Sequence, residues 1–283
     1  RFPSRRLRRR KSLRARPQVQ TLPPVERLER RTLLAAFTVS TTNDTFDASQ
    51  GDGFAADTVG QTSLRAAIQE ANALAGQDTI ILPSGTYTLA ITGIGEDFSS
   101  TGDLDVSSDI IIMGAGAGRT FIDAADIDRV LDVRPGASLT LMGVTLQNGL
   151  AVNSAGIRNA GTLELVDSVV TGNVASGVVN SLGGGIGNAG GTLTLTRVTI
   201  SNNSAAVHGG GLYSSGGSIT ATESTFNNNS ATFYGGGISV FTGSFQIADS
   251  TLSRNTAGVD GGGLSIDGAD AIATRITVSE NTA

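Results

Sequence analysis

Gly209-Gly210-Gly211-Leu212 and Gly235-Gly236-Gly237-Ile238 are one phrase written twice, 26 residues apart. It stands again at Gly183–Ile186 and at Gly261–Leu264, on the same beat, and Ala155-Gly156-Ile157 is an earlier copy 29 residues before Ile186. A second anchor keeps time with it. Asn203, Asn229, Asn255 and Asn281 are also 26 apart, and Asn173 precedes Asn203 by 30, so a small insertion lies between Asn173 and Ile186. Three residues before each Asn comes Val170, Ile200, Phe226, Leu252 or Val278. Two anchors at one spacing define a repeat, and the repeat dictates the fold.

Within each unit, pairs such as Leu163/Leu165, Leu193/Leu195 and Phe245/Ile247 alternate with polar residues. Pairs such as Val198/Ile200 follow, and then the Gly-anchored aliphatic residue. Alternation puts one face of a strand inward and the other outward. Three short strands per unit are expected. So short a unit cannot bury its own apolar face, so successive units must stack. Residues 138–283 contain no Pro that would cost a ladder hydrogen bond. The expected fold is all-β, a right-handed parallel β-helix, its hand taken from the chirality of parallel crossovers. Gly triplets fit positive-φ corners. The Asn column (Asn173, Asn203, Asn229, Asn255, Asn281) fits left-handed corners whose amides form a structural ladder along the axis. That column also accounts for the glycosylation-like triplets Asn202-Asn203-Ser204 and Asn228-Asn229-Ser230.

Upstream the text changes. Residues 38–137 read as a helix followed by irregular first coils. Leu64, Ala67, Ile68 and Ala71 form a stripe of helical period, Thr62 or Ser63 can cap its start, and Gly76 can end it. A helix over 63–74 would cover the open N-terminal end of the stack, where unpaired backbone edges invite aggregation. Strands follow at Thr79–Leu82, Thr86–Leu89, Ile110–Met113, Phe121–Ile122 and Val130–Val133, each bounded by turn residues. Residues 1–37 carry 12 basic and 2 acidic side chains, a net +10, and read as a disordered targeting segment. Residues 38–283 carry 8 basic and 23 acidic ones, a net −15, which argues against nucleic acid as a partner.

The 283 residues include no Cys and one His, which excludes disulfide scaffolds, thiol chemistry and multi-His metal sites. No apolar run approaches a helical membrane span. Asp167, Arg197, Glu223, Asp249 and Arg275 form one outward column. Neighbours in it would stand ~4.8 Å apart, close to the carboxylate spacing of a retaining glycosidase, about 5–5.5 Å. The interleaved Arg would keep Glu223 and Asp249 ionised, so the column is read as an ion ladder. Asp123, Asp126, Asp128 and Asp132, with Arg119, Arg129 and Arg134, are the densest charged cluster and a place where a Ca²⁺-assisted lyase could work. Their spacing matches no metal loop, so no metal and no cofactor is assigned. His208 shares its slot with Leu182, Tyr234 and Asp260 and is read as a surface residue. Tyr213, Phe233, Tyr234 and Phe241 gather on adjacent coils as candidate binding residues for a sugar or a partner protein.

Three stretches resemble known families. Leu28-Glu29-Arg30-Arg31-Thr32-Leu33-Leu34 resembles the Leu-Glu-Pro-Arg-x-Leu-Leu element of large bacterial surface and secreted proteins, with Arg30 in the place of Pro. Thr62-Ser63-Leu64-Arg65-Ala66-Ala67 resembles the Cys-Ser-Leu-Arg-Glu-Ala element that opens many secreted bacterial β-helix proteins, with Thr62 for Cys and Ala66 for Glu. The Gly-Gly-aliphatic phrase together with Phe226-x-x-Asn229 resembles the repeats of bacterial polymorphic outer membrane proteins. These resemblances imply a single-stranded, pectin-lyase-like solenoid. They imply a secreted or cell-surface, outer-membrane-associated passenger, part of a longer polypeptide, with an adhesin-like role and no catalysis. The alternative they carry is a polysaccharide lyase or other glycan-modifying β-helix enzyme.

Overall fold

The computed structural model describes residues 34–177 and 181–283. The basic segment before residue 34 lies outside them. The described chain winds into a solenoid of parallel strands forming four sheets of nine, eight, seven and five strands, here A, B, C and D. One regular coil contains Thr192–Thr196 in sheet A, Thr199–Ser201 in sheet B, Ser204–Ala205 in sheet D and Leu212–Ser214 in sheet C. Leu193, Leu195, Ile200 and Leu212 point inward and are fully buried, while Thr192, Thr194 and Thr196 keep some exposure. The repeat phrase is the inward column of sheet C: Ile157, Ile186, Leu212, Ile238 and Leu264 pair residue for residue. Sheet D is the strand per coil that periodicity does not reveal. Its strands are two residues long, Leu150–Ala151 to Thr256–Ala257, too short to show alternation. Their buried Ala175 and Ala205 form a small cluster with Ala155 apart from the main core.

The corners differ in two ways from the sequence expectation. Only the first Gly of each triplet is left-handed, with φ of 68°, 65°, 64° and 66° at Gly183, Gly209, Gly235 and Gly261. The other two are glycine because there is no room. A Cβ on Gly211 would stand 2.6 Å from the Gly237 carbonyl oxygen and 3.0 Å from Asn229 Cγ. The ladder Asn are likewise not the left-handed residues. Those are their predecessors Asn202, Asn228, Arg254 and Glu280, with φ of 52–56°. Asn203, Asn229 and Asn255 turn inward and are at most 1% exposed. Asn229 Oδ1 accepts from Asn203 N and Nδ2, both at 3.1 Å, and Asn229 Nδ2 donates to the Ile200 carbonyl at 2.9 Å and to Asn255 Oδ1 at 3.0 Å. The pattern runs from Asn173 to Asn281. A serine ladder runs at the A–B corner, where Val198 N and Ser224 N donate to Ser224 Oγ and Ser250 Oγ.

The helix α1 spans Leu64–Ala73 and starts at Ser63, whose side chain accepts from Ala66 N. It packs against Leu104–Val106, the first strand of sheet C, and against Gln77–Leu82 and Asp109–Gly114 of sheet A. More than the apolar stripe is buried, because the loop before the helix folds over its polar side. Arg65 is 1% exposed, pairs with Asp44 at 2.6 Å and donates to the carbonyls of Ser99, Gly102 and Asp103. Glu70 accepts from Gly51 N and Gly53 N, and Asn72 donates to the Asp105 carbonyl at 2.7 Å. Ala36–Thr38 precedes all this as the first strand of sheet A, pairing with Thr79–Ile81, and Phe37 enters the core. The strand Ala36–Thr38 thus lies across residue 37, where the sequence reading ends the basic segment.

Candidate functional site

Each sheet C strand has three residues, so the middle one faces outward. Register stacks these middle residues into one column: Asp105, Asp132, Arg158, Gly187, Tyr213, Ser239 and Ser265. Beside it, across the glycine corner, isolated bridges align Leu182, His208, Tyr234 and Asp260. On the far side the chain leaves the sheet through Phe241 in one coil and Asp267 in the next. One large side chain followed by two serines makes a step in the floor. The result is a cleft of about 340 Å³ lined by His208, Tyr213, Tyr234, Ser239, Phe241, Asp260 and Asp267, among others. Tyr234 and Phe241 are 41% and 52% exposed, so their rings are offered to solvent.

His208 is not the plain surface residue expected from its slot. Its ring stacks on Tyr234 at 5.1 Å and on Tyr213 at 6.5 Å, and meets Phe233 edge-on at 6.1 Å. Its Nδ1 is buried without a hydrogen-bond partner, and burial pushes its pKa down, which favours the neutral ring. Burial likewise pushes the Tyr213 hydroxyl up. Of the four candidate binding residues, Tyr213, Tyr234 and Phe241 line the cleft, while Phe233 stands behind His208. Ser239, Asp260 and Asp267 complete it and were not singled out from sequence. Asp260 was visible as the next member of the His208–Tyr234 slot, one repeat on.

The acidic cluster assembles differently from the one read in sequence. Asp123 bonds Gln147 and Asn148, and Asp128 accepts from Arg129 N. Asp132 instead joins Asp103 and Asp105, with carboxylate oxygens within 4.8 Å of one another. All three are buried. Burial, and then the neighbouring carboxylates, hold Asp105 up at about 8. Burial raises Asp103 to about 6 against the pull of Arg129. Arg129 bonds Asp103 at 2.8 Å, while Arg134 and Arg158 reach Asp132 at 3.0 and 3.1 Å. Arg129 thus faces Asp103, and Arg134 and Arg158 face Asp132, while Asp105 forms no ion pair among the described residues, in keeping with a carboxyl held protonated at neutral pH. Ser99 N donates to Asp105 Oδ2, so the loop before the strand lies over the trio. The sequence signal was the repeated tripeptide Leu104-Asp105-Val106 and Leu131-Asp132-Val133, 27 residues apart.

The outward column at the A–B corner is left-handed throughout, with φ of 49–54° from Asp167 to Arg275. Arg197 binds Asp167 at 2.6 Å and Arg275 binds Asp249 at 2.5 Å, lowering both carboxyls. Glu223 forms no ion pair among the described residues.

The Chlamydia polymorphic membrane protein (Chlamydia_PMP) repeat matches residues 197–215 and 223–240. The two segments contain the glycine corner and ladder Asn of two consecutive coils, together with His208, Tyr213 and Tyr234. No curated protein and no solved structure matches the chain. None of the described helices is long and apolar enough to cross a membrane.

Proposed function

We propose that this chain is a surface-displayed, adhesin-like β-solenoid that binds rather than transforms its ligand, and that its sheet C cleft receives a saccharide unit of a cell-surface glycan. The similarity of two coils to a membrane-protein repeat supports display at a surface. The observation that carries the binding reading is the cleft itself. Tyr213, Tyr234 and Phe241 offer ring surface for the apolar face of a sugar, while Ser239, Asp260 and Asp267 offer groups for its hydroxyls. Such a site needs only area and a few aromatic anchors. The test is a glycan-binding screen of the purified chain. Tyr234→Ala and Tyr213→Ala should each weaken binding about tenfold. Retention of full binding by the double variant would sink the assignment of the cleft.

One observation favours the enzyme alternative: Asp105, at about 8, carries the raised pKa of a general acid, beside two further carboxyls. At 1% exposure it does not touch the surface where a polysaccharide would lie. The expected outcome is no lyase or hydrolase turnover on acidic or neutral polysaccharides, with or without Ca²⁺. Turnover abolished by Asp105→Asn or Glu223→Gln would replace the binding reading with catalysis.

A further inference from the structure

The cleft has a charge pattern that its aromatic lining does not require. Asp260 pairs directly with Tyr234 in the corner column, so its carboxylate stands one coil beyond that ring. Asp267 stands one coil beyond Phe241 on the opposite side. Adjacent coils are separated by ~4.8 Å, so each wall presents an aromatic ring and then a carboxylate within the span of one small group. Both Asp are exposed, no Arg or Lys lines the cleft, and its one imidazole, His208, is half-buried against Tyr234 and Tyr213. Nor is a counter-charge free elsewhere nearby. Of the eight Arg after residue 38, seven are held in ion pairs with other carboxylates, from Arg65–Asp44 to Arg275–Asp249.

We infer that the cleft selects a glycan bearing free amino groups, that is, hexosamine units whose amine is neither acetylated nor sulfated. This rests on the saccharide reading above and adds the sign of the ligand's charge. An ammonium between the two walls meets carboxylates as charge-assisted acceptors and the faces of Tyr234 and Phe241 as cation–π partners. An N-acetylated unit keeps the ring stacking and loses the ion pairing. A uronate unit brings a like charge against Asp260 and Asp267.

The experiment is calorimetric titration of the whole chain with three probes: a glucosamine tetramer, an N-acetylglucosamine tetramer and a galacturonate tetramer. The aminated tetramer should bind about tenfold or more tighter than the acetylated one, the galacturonate should not bind, and added salt should erode the preference. Asp260→Asn with Asp267→Asn should abolish the preference and leave the weaker acetylated binding in place. Asp270→Asn, an exposed acid outside the cleft, should change neither. Tyr234→Ala should weaken both sugars. Equal binding of aminated and acetylated probes, with Tyr234→Ala still damaging, overturns the charge inference and leaves the saccharide reading standing. Loss of the preference in Asp270→Asn overturns it too, by tracing the effect to the acidic body. Binding of none of the three probes overturns both.

Discussion

Asn229→Ala is the sharpest probe of what holds one coil on the next. The side chain makes four hydrogen bonds, to Asn203 N and Nδ2, to the Ile200 carbonyl and to Asn255 Oδ1. With Ala in place, Asn203 N–H and the Ile200 carbonyl lose the ladder side chain as their partner in a site only 1% exposed, and one Asn203 amide proton loses its acceptor. Each buried polar group left unpaired costs about 1–3 kcal/mol. Allowing for relaxation, the total should be about 3–6 kcal/mol. Asn229→Asp should be worse than Ala despite its shape. Its second oxygen would face the Ile200 carbonyl and Asn255 Oδ1, acceptor against acceptor, and its charge would be buried. Asn228→Gly is the control. That residue is exposed and left-handed at φ 52°, so Gly should fall within about 0.5 kcal/mol of the parent. Urea denaturation followed by far-ultraviolet circular dichroism reads all three. A loss under about 1 kcal/mol for Ala, or an Asp variant more stable than Ala, would refute the ladder as a source of stability.

Two further substitutions test the corners and the buried acids. Gly211→Ala should cost about 2–3 kcal/mol by overpacking, since its Cβ would meet the Gly237 carbonyl at 2.6 Å, whereas Gly190→Ala, with nothing within 4 Å but φ of 87°, should cost only about 1 kcal/mol; similar melting temperatures for the two would contradict the packing argument. Asp105 is raised from 3.8 to about 8, so the folded protein holds a proton that the unfolded chain releases between those values, and this group's contribution to stability falls as pH rises through that window. Asp105→Asn should therefore melt higher than the parent with a margin that widens from about pH 5 to about pH 9, and a margin independent of pH would show that the carboxyl ionises freely.

How much of this was legible depended on whether a residue's role repeats. Ile186, Leu212, Ile238 and Leu264 announce their column because every coil needs an apolar plug at the same height. Ser63 and the Leu64–Ala71 stripe announce a helix through local chemistry alone. Sheet D stayed hidden because two residues carry no period. The burial of Arg65 stayed hidden because it depends on Asp44 and on carbonyls more than thirty residues away. The cleft was half legible. Tyr213, Tyr234 and Phe241 stand out as aromatics in a chain that is only 5% aromatic. Ser239 matters for being small beside Tyr213, and Asp260 and Asp267 for the columns they continue, which only the register reveals. The carboxyl trio is not legible from nearness in sequence, because in a solenoid the neighbour of Asp132 is Asp105, a coil away.

The asparagine ladder also has a direction. Each rung from Asn173 to Asn255 donates its backbone and side-chain N–H to the oxygen of the rung on its C-terminal side, and its amide reaches back to a carbonyl on its N-terminal side. The groups stranded by removing one rung therefore belong mainly to the coil before it, and the coil after it keeps most of its partners. Damage should travel one way. In hydrogen exchange, Asn229→Ala should speed amides around Val198–Asn203 more than those around Thr251–Asn255. A coil so built is finished only when its successor is laid down, which makes the stack a structure with a leading and a trailing end rather than a pile of equal discs.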